Sequence, residues 1–488
     1  MEQYFEKYRN QTIGYGLKML TPYGEKEMVY ADWIASGRLY LPIEKKIQEE
    51  FGPWVANTHT ETSETGTLMT KSYHWAQHII KNHVNATQDD ILITSGSGMT
   101  SVVNKFQRII GLKSCGKLVD DKCIISEKER AVVFITHMEH HSNQTSWLET
   151  NSDVVVLEPN EDLTVNPDEL RRQLEKYKNR KMKIGSFSAC SNVTGVRTNY
   201  HELAKIMHQN GGLCFVDFAA NAPYEDMNMH PADPEEKLDA IFFSPHKFLG
   251  GPGSSGVLIF DKKLYANNAP DHPGGGTVDW TNPWGEYKYI DDIEAREDGG
   301  TPGFLQRIRI ALAIKLKEQI GTDKMAKREE ELVEKAFKLL LPIPKLKILS
   351  EDIKDRLGVI SFYLEDIHYN LVVKILNDRY GIQVRGGCAC AGTYGHFLMK
   401  ITPDVSNRIT KEISSGNLSS KPGWVRLSLH PTMTDAELEL TAKALGEISE
   451  NISEWEKDYI YNPKVNEFKH KKEIKDKIEI IKPWFEFN

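Results

Sequence analysis

Residues Asp239-Ala240-Ile241-Phe242-Phe243-Ser244-Pro245-His246-Lys247 set a lysine just after a short apolar run, and Phe248-Leu249-Gly250-Gly251-Pro252-Gly253 follows. A run that is apolar on both faces predicts a strand covered on both sides. A lysine at the end of such a strand, facing a glycine-rich loop, is unlike a solvated one. Partial desolvation makes its amine a better nucleophile. Ser244 and His246 flank it with donors suited to a phosphate. Taken alone, the stretch reads also as an ordinary loop lysine.

Working outward, similar short runs recur at Ile91–Thr94, Val132–Thr136, Val154–Leu157, Ile184–Ala189, Leu213–Asp217 and Gly256–Phe260. Amphipathic stretches lie between several of them. Thr100–Ile110 and Pro167–Tyr177 predict helices, the second opened by Asn166 as N-cap and Pro167 at the first helical position. Strand and helix in alternation predict an α/β domain with a mostly parallel sheet. Ligands bind beyond the carboxyl ends of such strands, so the residues just after them carry the chemistry.

Three of those positions stand out. Ser95-Gly96-Ser97-Gly98-Met99-Thr100 joins a strand to a helix. Glycines admit an anion and the helix start offers free N–H groups, so the loop reads as a phosphate cradle or as a tight turn. His137-Met138-Glu139-His140-His141-Ser142-Asn143 could supply metal ligands, an imidazole stacked on a planar ligand, or polar caps. Further ligands at metal spacing are missing, so no metal is expected. Asp217 ends a buried run, where a carboxylate holds a protonated ring nitrogen or simply caps a helix.

The rest of the chain is ordinary for a soluble globular protein. It has 488 residues, 40% hydrophobic and 27% charged, with a net charge of −8. No basic excess points to nucleic acid. No run reaches the roughly 18 apolar residues of a membrane span. The charged start is not expected to act as a signal peptide. Six cysteines, at 115, 123, 190, 214, 388 and 390, are too sparse for a disulfide framework, which leads us to expect a reducing, cytoplasmic setting. Charged helices are expected from Gln306 to Leu340. A smaller α+β region follows, with strands at Leu357–Leu364, Gln383–Arg385 and Trp424–Leu429 and helices at Asn370–Tyr380 and Asp435–Asn451.

Eight motifs in order are similar to those of one family. They are Thr94-Ser95-Gly96, Met138-Glu139-His140-His141-Ser142-Asn143, Ser191-Asn192-Val193-Thr194-Gly195, Val216-Asp217, Ser244-Pro245-His246-Lys247, Gly274-Gly275-Gly276-Thr277, Gly299-Gly300-Thr301-Pro302 and Arg385-Gly386-Gly387-Cys388-Ala389-Cys390-Ala391. From Tyr30 to about Leu445 the chain resembles the class V aminotransferase superfamily of fold type I, and within it the cysteine desulfurase and selenocysteine lyase branch. The resemblance implies pyridoxal 5'-phosphate (PLP) as cofactor, held as a Schiff base on Lys247. It implies a large domain, 25–305, with a mostly parallel seven-stranded sheet. A small α+β domain would span 306–460 with 1–24, before a charged tail, 461–488.

It also implies roles. Lys247 would shuttle the α-proton, Asp217 would pair with the pyridinium nitrogen, and His140 would stack on the ring. Asn192 would lie near the phenolic oxygen and the substrate. Ser97, Gly98, Ser244 and His246 would bind the phosphate. Thr277 would reach the phosphate of a neighbouring subunit, so a homodimer is expected. Arg426 would grip the α-carboxylate of a small amino-acid substrate, with Arg385 a second candidate. Cys390 would attack the sulfur of cysteine and pass it to an acceptor protein. As a residue type, the same cysteine reads as a buried structural thiol. Without a catalytic cysteine, the alternative activity is that of an aminotransferase, epimerase or lyase.

Three departures bear on the substrate. Ala220 stands where the family usually has a glutamine, three residues after the aspartate, which leaves Asn221 as a replacement. Gly387-Cys388-Ala389-Cys390 replaces a Gly-His-His-Cys type loop and is closer to that of molybdenum-cofactor sulfurases. The stretch from Cys390 to Arg426 is long, with an insert over 393–420.

Overall fold

Seven strands form one sheet: β1 Asp90–Ser95, β2 Val132–Ile135, β3 Asp153–Val156, β4 Lys183–Ser188, β5 Leu213–Asp217, β6 Ala240–Phe243 and β7 Gly256–Asp261. Their order across the sheet is β1-β7-β6-β5-β4-β2-β3. β2 lies parallel to β3 and β4, β4 to β5, and β5 to β6. β7 alone is reversed, antiparallel to both β1 and β6. All seven expected strands are present, most with bounds shifted by a residue. This computed structural model describes residues 1–113, 126–472 and 477–487. Cys115 and Cys123 lie outside the described residues.

Helices cover the apolar faces. Helix Met99–Ile109 lays Phe106 against Phe215, Phe242 and Phe260, with ring centroids 5.1, 5.9 and 5.0 Å away. Burying such a side chain contributes about 2–3 kcal/mol, which holds the helix start over the end of β1. Helix Pro167–Lys176 begins where expected, with Asn166 Oδ1 accepting from the N–H groups of Asp168 and Glu169. Gly321, at φ 88°, separates helices Phe304–Ile320 and Thr322–Leu340.

The chain divides into two compact units. One holds 11–13 and 34–326; the other holds 1–10, 14–33 and 327–488. The boundary thus falls later than the 305/306 expected from sequence. Ile308 and Ala311 of helix Phe304–Ile320 pack on Ala76 of helix Glu64–His83, which keeps that helix with the seven-stranded sheet.

The second unit has a four-stranded antiparallel sheet of β8 Leu346–Ile348, β9 Val359–Leu364, β10 Arg385–Gly387 and β11 Trp424–Ser428, ordered β8-β9-β11-β10. The single strand expected at Gln383–Arg385 is two. Ile382–Gln383 pairs with Val29–Tyr30, and the chain then enters β10. Helix Asp435–Trp455 opens with a capping box between Thr434 and Glu437. The 393–420 insert carries helices Gly392–Leu398 and Pro403–Ser414. The residues read from sequence as a charged tail begin instead with a hairpin, Tyr459–Asn462 paired with Glu467–His470.

Candidate active site

In the larger unit, the loops after β1 and β6 meet. Gly96 turns the chain at φ 56°, and a Cβ there would stand 2.2 Å from Ser101 Oγ. Gly98 is the N-cap of helix Met99–Ile109, whose Met99 N–H donates to Ser244 Oγ at 2.8 Å. A Cβ on Gly98 would lie 3.1 Å from Ser244 Oγ and 3.5 Å from His246 Cδ2. Ser97, Gly98, Ser244 and His246 thus form a glycine-walled notch at a helix N-terminus, where an anion is favoured. Ser97 and His246 open on a cavity of about 720 Å³ that Ser254, Ser255 and Thr301 also line. Burial, helped by the Lys247 charge, holds His246 down at about 4, so its imidazole is neutral.

Thr277 is not in that notch. Its hydroxyl donates to the Gly274 carbonyl in its own loop at 2.6 Å.

Asp217 ends β5, fully enclosed, and its Oδ1 accepts from the Ala219 N–H at 2.8 Å. Burial pushes it up to about 7; the nearby Glu139 charge adds to this and Lys247 opposes it. Lys247 itself is half-buried in the short turn Pro245–Lys247, with its N–H on the Ser244 carbonyl. His140 caps helix His141–Leu148, and its Nδ1 accepts from the Ser142 N–H at 3.1 Å, which orients the ring. Asn192 is buried in a loop tied by Ser191 Oγ, which accepts from the N–H groups of Val193 and Thr194. The Asn221 amide donates to Glu225 Oε2 at 2.8 Å.

Glu139 has a part that sequence reasoning did not assign. Wholly buried, it accepts from Thr136 and Ser188, through both backbone and hydroxyl, and from the Asn143 amide. It fastens the His140 turn to β4. Its neighbourhood in a quoted motif was the available signal.

In the smaller unit, Arg385 and Arg426 face each other across the β10–β11 ladder. Both bind Asp32: Arg385 Nε donates to Oδ2 at 3.0 Å and Arg426 Nη2 to Oδ1 at 3.0 Å. Cys390 follows β10 through two successive left-handed residues, Ala389 at φ 51° and Cys390 at φ 56°. Such non-glycine conformations cost about 1–2 kcal/mol each and mark a constrained turn. Its thiol is exposed, and it interacts electrostatically with both arginines. Among the described residues, no group of three or more His, Cys, Asp or Glu has the geometry of a metal site.

A family model described as Aminotransferase class-V matches residues 29–440. The chain belongs to that family. Its similarity extends to a probable cysteine desulfurase of Halalkalibacterium halodurans, 28% identical over 389 residues, 77% of this chain and 88% of that protein. Another probable cysteine desulfurase, of Staphylococcus epidermidis, is 29% identical over 371 residues, 75% and 84% of the two chains. An apo cysteine desulfurase from Thermococcus onnurineus NA1 superposes with a TM-score of 0.69 at 21% identity, over 87% of this chain and 95% of that one. The Escherichia coli cysteine desulfurase CsdA, as its S-sulfonic acid, gives 0.70 at 19% identity, over 91% and 98%. The fold of this class-V aminotransferase family member is therefore the fold type I expected from its motifs. The family uses pyridoxal 5'-phosphate, and the residues fit it. The notch that a Gly98 Cβ would fill suits its phosphate, and the enclosed Asp217 suits its cationic ring nitrogen.

Proposed function

We propose that the protein is a cysteine desulfurase that moves sulfur from L-cysteine to Cys390 and releases L-alanine. One observation carries the reading. Cys390 is an exposed thiol on a constrained left-handed turn with the charges of Arg385 and Arg426 around it. The names of the similar proteins support it.

When bound, PLP supplies an electron sink for the substrate α-carbon. Ser97, Gly98, Ser244 and the neutral His246 would hold its phosphate. Lys247 would supply the amine that holds its aldehyde, and would take and return the α-proton of the substrate. Asp217, once ionised, would anchor the ring nitrogen. His140 would stack on the ring, and Asn192 would lie near its phenolic oxygen. Arg426 and Arg385 bind the α-carboxylate as guanidinium forks.

The Cys390 thiolate then forms an S–S bond to the substrate sulfur as the Cβ–S bond breaks. The electron pair of that bond stays on carbon, which takes a proton. The enzyme keeps a persulfide and the product is alanine, with no external oxidant. A thiol of an acceptor protein removes the outer sulfur. The same reading has the enzyme act as a cytoplasmic homodimer, with Thr277 serving the second subunit. An apolar patch around Phe51, Ile79, Leu312 and the 64% exposed Trp75 is a surface a second copy would cover. Among the described residues, no helix is long and apolar enough to cross a membrane.

PLP-loaded protein should turn L-cysteine with a reductant into equal amounts of alanine and sulfide, and Cys390→Ser should not. Formation of a keto acid instead, unaffected by Cys390→Ser, would replace this reading with transamination.

A further inference from the structure

The hairpin Tyr459–His470 lies beyond the residues matched by the family, 29–440. Its exposed tip carries one enclosed residue. Asn466 is 9% exposed while its neighbour Val465 is 53% exposed. Its φ of 57° is a conformation asparagine tolerates better than most residues, which suits it to the tip.

Each polar group of the Asn466 side chain is used. Tyr461 O–H donates to Oδ1 at 2.9 Å, and Nδ2 donates to Tyr369 Oη at 2.7 Å. The Asn466 carbonyl accepts from Asn370 Nδ2 at 2.6 Å. Tyr369 then donates onward to the Lys421 carbonyl at 3.2 Å, where the insert ends. A further bond runs from Leu418 N–H to the Pro463 carbonyl at 2.9 Å.

Tyr369 and Asn370 also touch the strand that delivers the cysteine. A Cβ on Gly386 would stand 2.3 Å from Asn370 Oδ1 and 3.2 Å from Tyr369 Cδ2. One on Gly423 would stand 2.6 Å from Tyr369 Cε1 and 2.9 Å from Gly387 Cα. Gly386 and Gly387 lead straight into Cys388-Ala389-Cys390. Contact is therefore continuous from the hairpin tip, through Asn466 and the Tyr369–Asn370 pair, to the base of the cysteine turn.

We propose that the hairpin sets the position of the Cys390 turn and that Asn466 is the positioning residue that transmits it. The proposal rests on Cys390 being the nucleophile. The step it governs is the attack of Cys390 Sγ on the substrate sulfur. Removal of the α-proton by Lys247 does not depend on it.

The test compares two rates in the PLP-loaded enzyme: sulfide release from L-cysteine, and exchange of its α-proton in deuterated water. Asn466→Ala should lower sulfide release roughly 10- to 100-fold, the effect of a shift of about 1 Å in a reacting group. Exchange and KM should stay within about twofold of wild type on the same argument. Tyr369→Phe, which keeps the ring but removes the hydroxyl that binds both Asn466 and Lys421, should act in the same direction and carries the test if Asn466→Ala fails to fold. Unchanged sulfide release in the folded variant overturns the proposal, as does a parallel fall in both rates. Cys390→Ser separates the two readings. If it still releases sulfide, the nucleophile assignment fails and the proposal with it. If it is inactive while Asn466→Ala is fully active, the hairpin proposal alone fails.

Discussion

Arg385 and Arg426 stand opposite each other across an antiparallel ladder and share one carboxylate, that of Asp32. Like charges paired this way repel. Asp32 offsets the repulsion and leaves the cluster one positive charge, which a substrate carboxylate would neutralise. Arg426 is the enclosed partner, 4% exposed, whereas Arg385 is 53% exposed. Removing Asp32 therefore strands a buried charge. Asp32→Ala should cost about 3 kcal/mol in urea unfolding. Arg385→Ala should cost under about 1 kcal/mol, as for an exposed pair. Equal losses would show that the cluster is not organised around the buried arginine.

Lys247 is the only residue proposed to bond to the cofactor. Lys247→Ala, incubated with PLP and freed of excess, should be colourless and yield no borohydride-stable adduct. A yellow, reducible adduct in this variant would assign the role to another lysine.

Asp217 makes the apoprotein sensitive to pH. Its carboxyl is raised by burial from 3.8 to about 7. The folded state thus holds a proton that the unfolded chain gives up near pH 4. Between about pH 4 and 7 stability falls as pH rises, by a few kcal/mol in all, and above 7 the penalty is constant. Asp217→Asn removes the titration. The apo variant should equal wild type near pH 4 and exceed it at pH 8 in urea unfolding, while α-proton exchange is lost. Parallel pH profiles for the two apoproteins would contradict the enclosed carboxyl.

Gly98 bounds the notch proposed to hold the phosphate. Its backbone is extended, so Gly98→Ala adds only a methyl group, 3.1 Å from Ser244 Oγ. PLP affinity should fall about tenfold, or 1.4 kcal/mol, with little change in melting temperature. Unaltered affinity, measured by fluorescence titration of the apoprotein, would place the phosphate elsewhere.

Local chemistry wrote much of the fold into the sequence. Runs such as Val132–Ile135 and Ala240–Phe243 are apolar on both faces because helices cover both sides of their sheet. Asn166 and Pro167 mark a helix start through groups within three residues of each other. Ser244, His246 and Lys247 stand out because polar groups directly follow a buried strand. These signals lie within a few residues, where periodicity and capping act, so the larger sheet and the residues of the glycine-walled notch could be read along the chain.

Tertiary structure alone decided the rest. β7 inserts between β1 and β6 against the direction of both, which no strand pattern encodes. Glu139 becomes a fastener only because Ser188, 49 residues on, turns both its hydroxyl and its N–H toward it. Asp32 reaches Arg385 and Arg426 across 353 and 394 residues, and Asn466 reaches Tyr369 across 97. Composition and spacing record what a residue can bond. Which buried donor meets which acceptor is settled when distant segments pack, because each such group must find its partner once water is excluded.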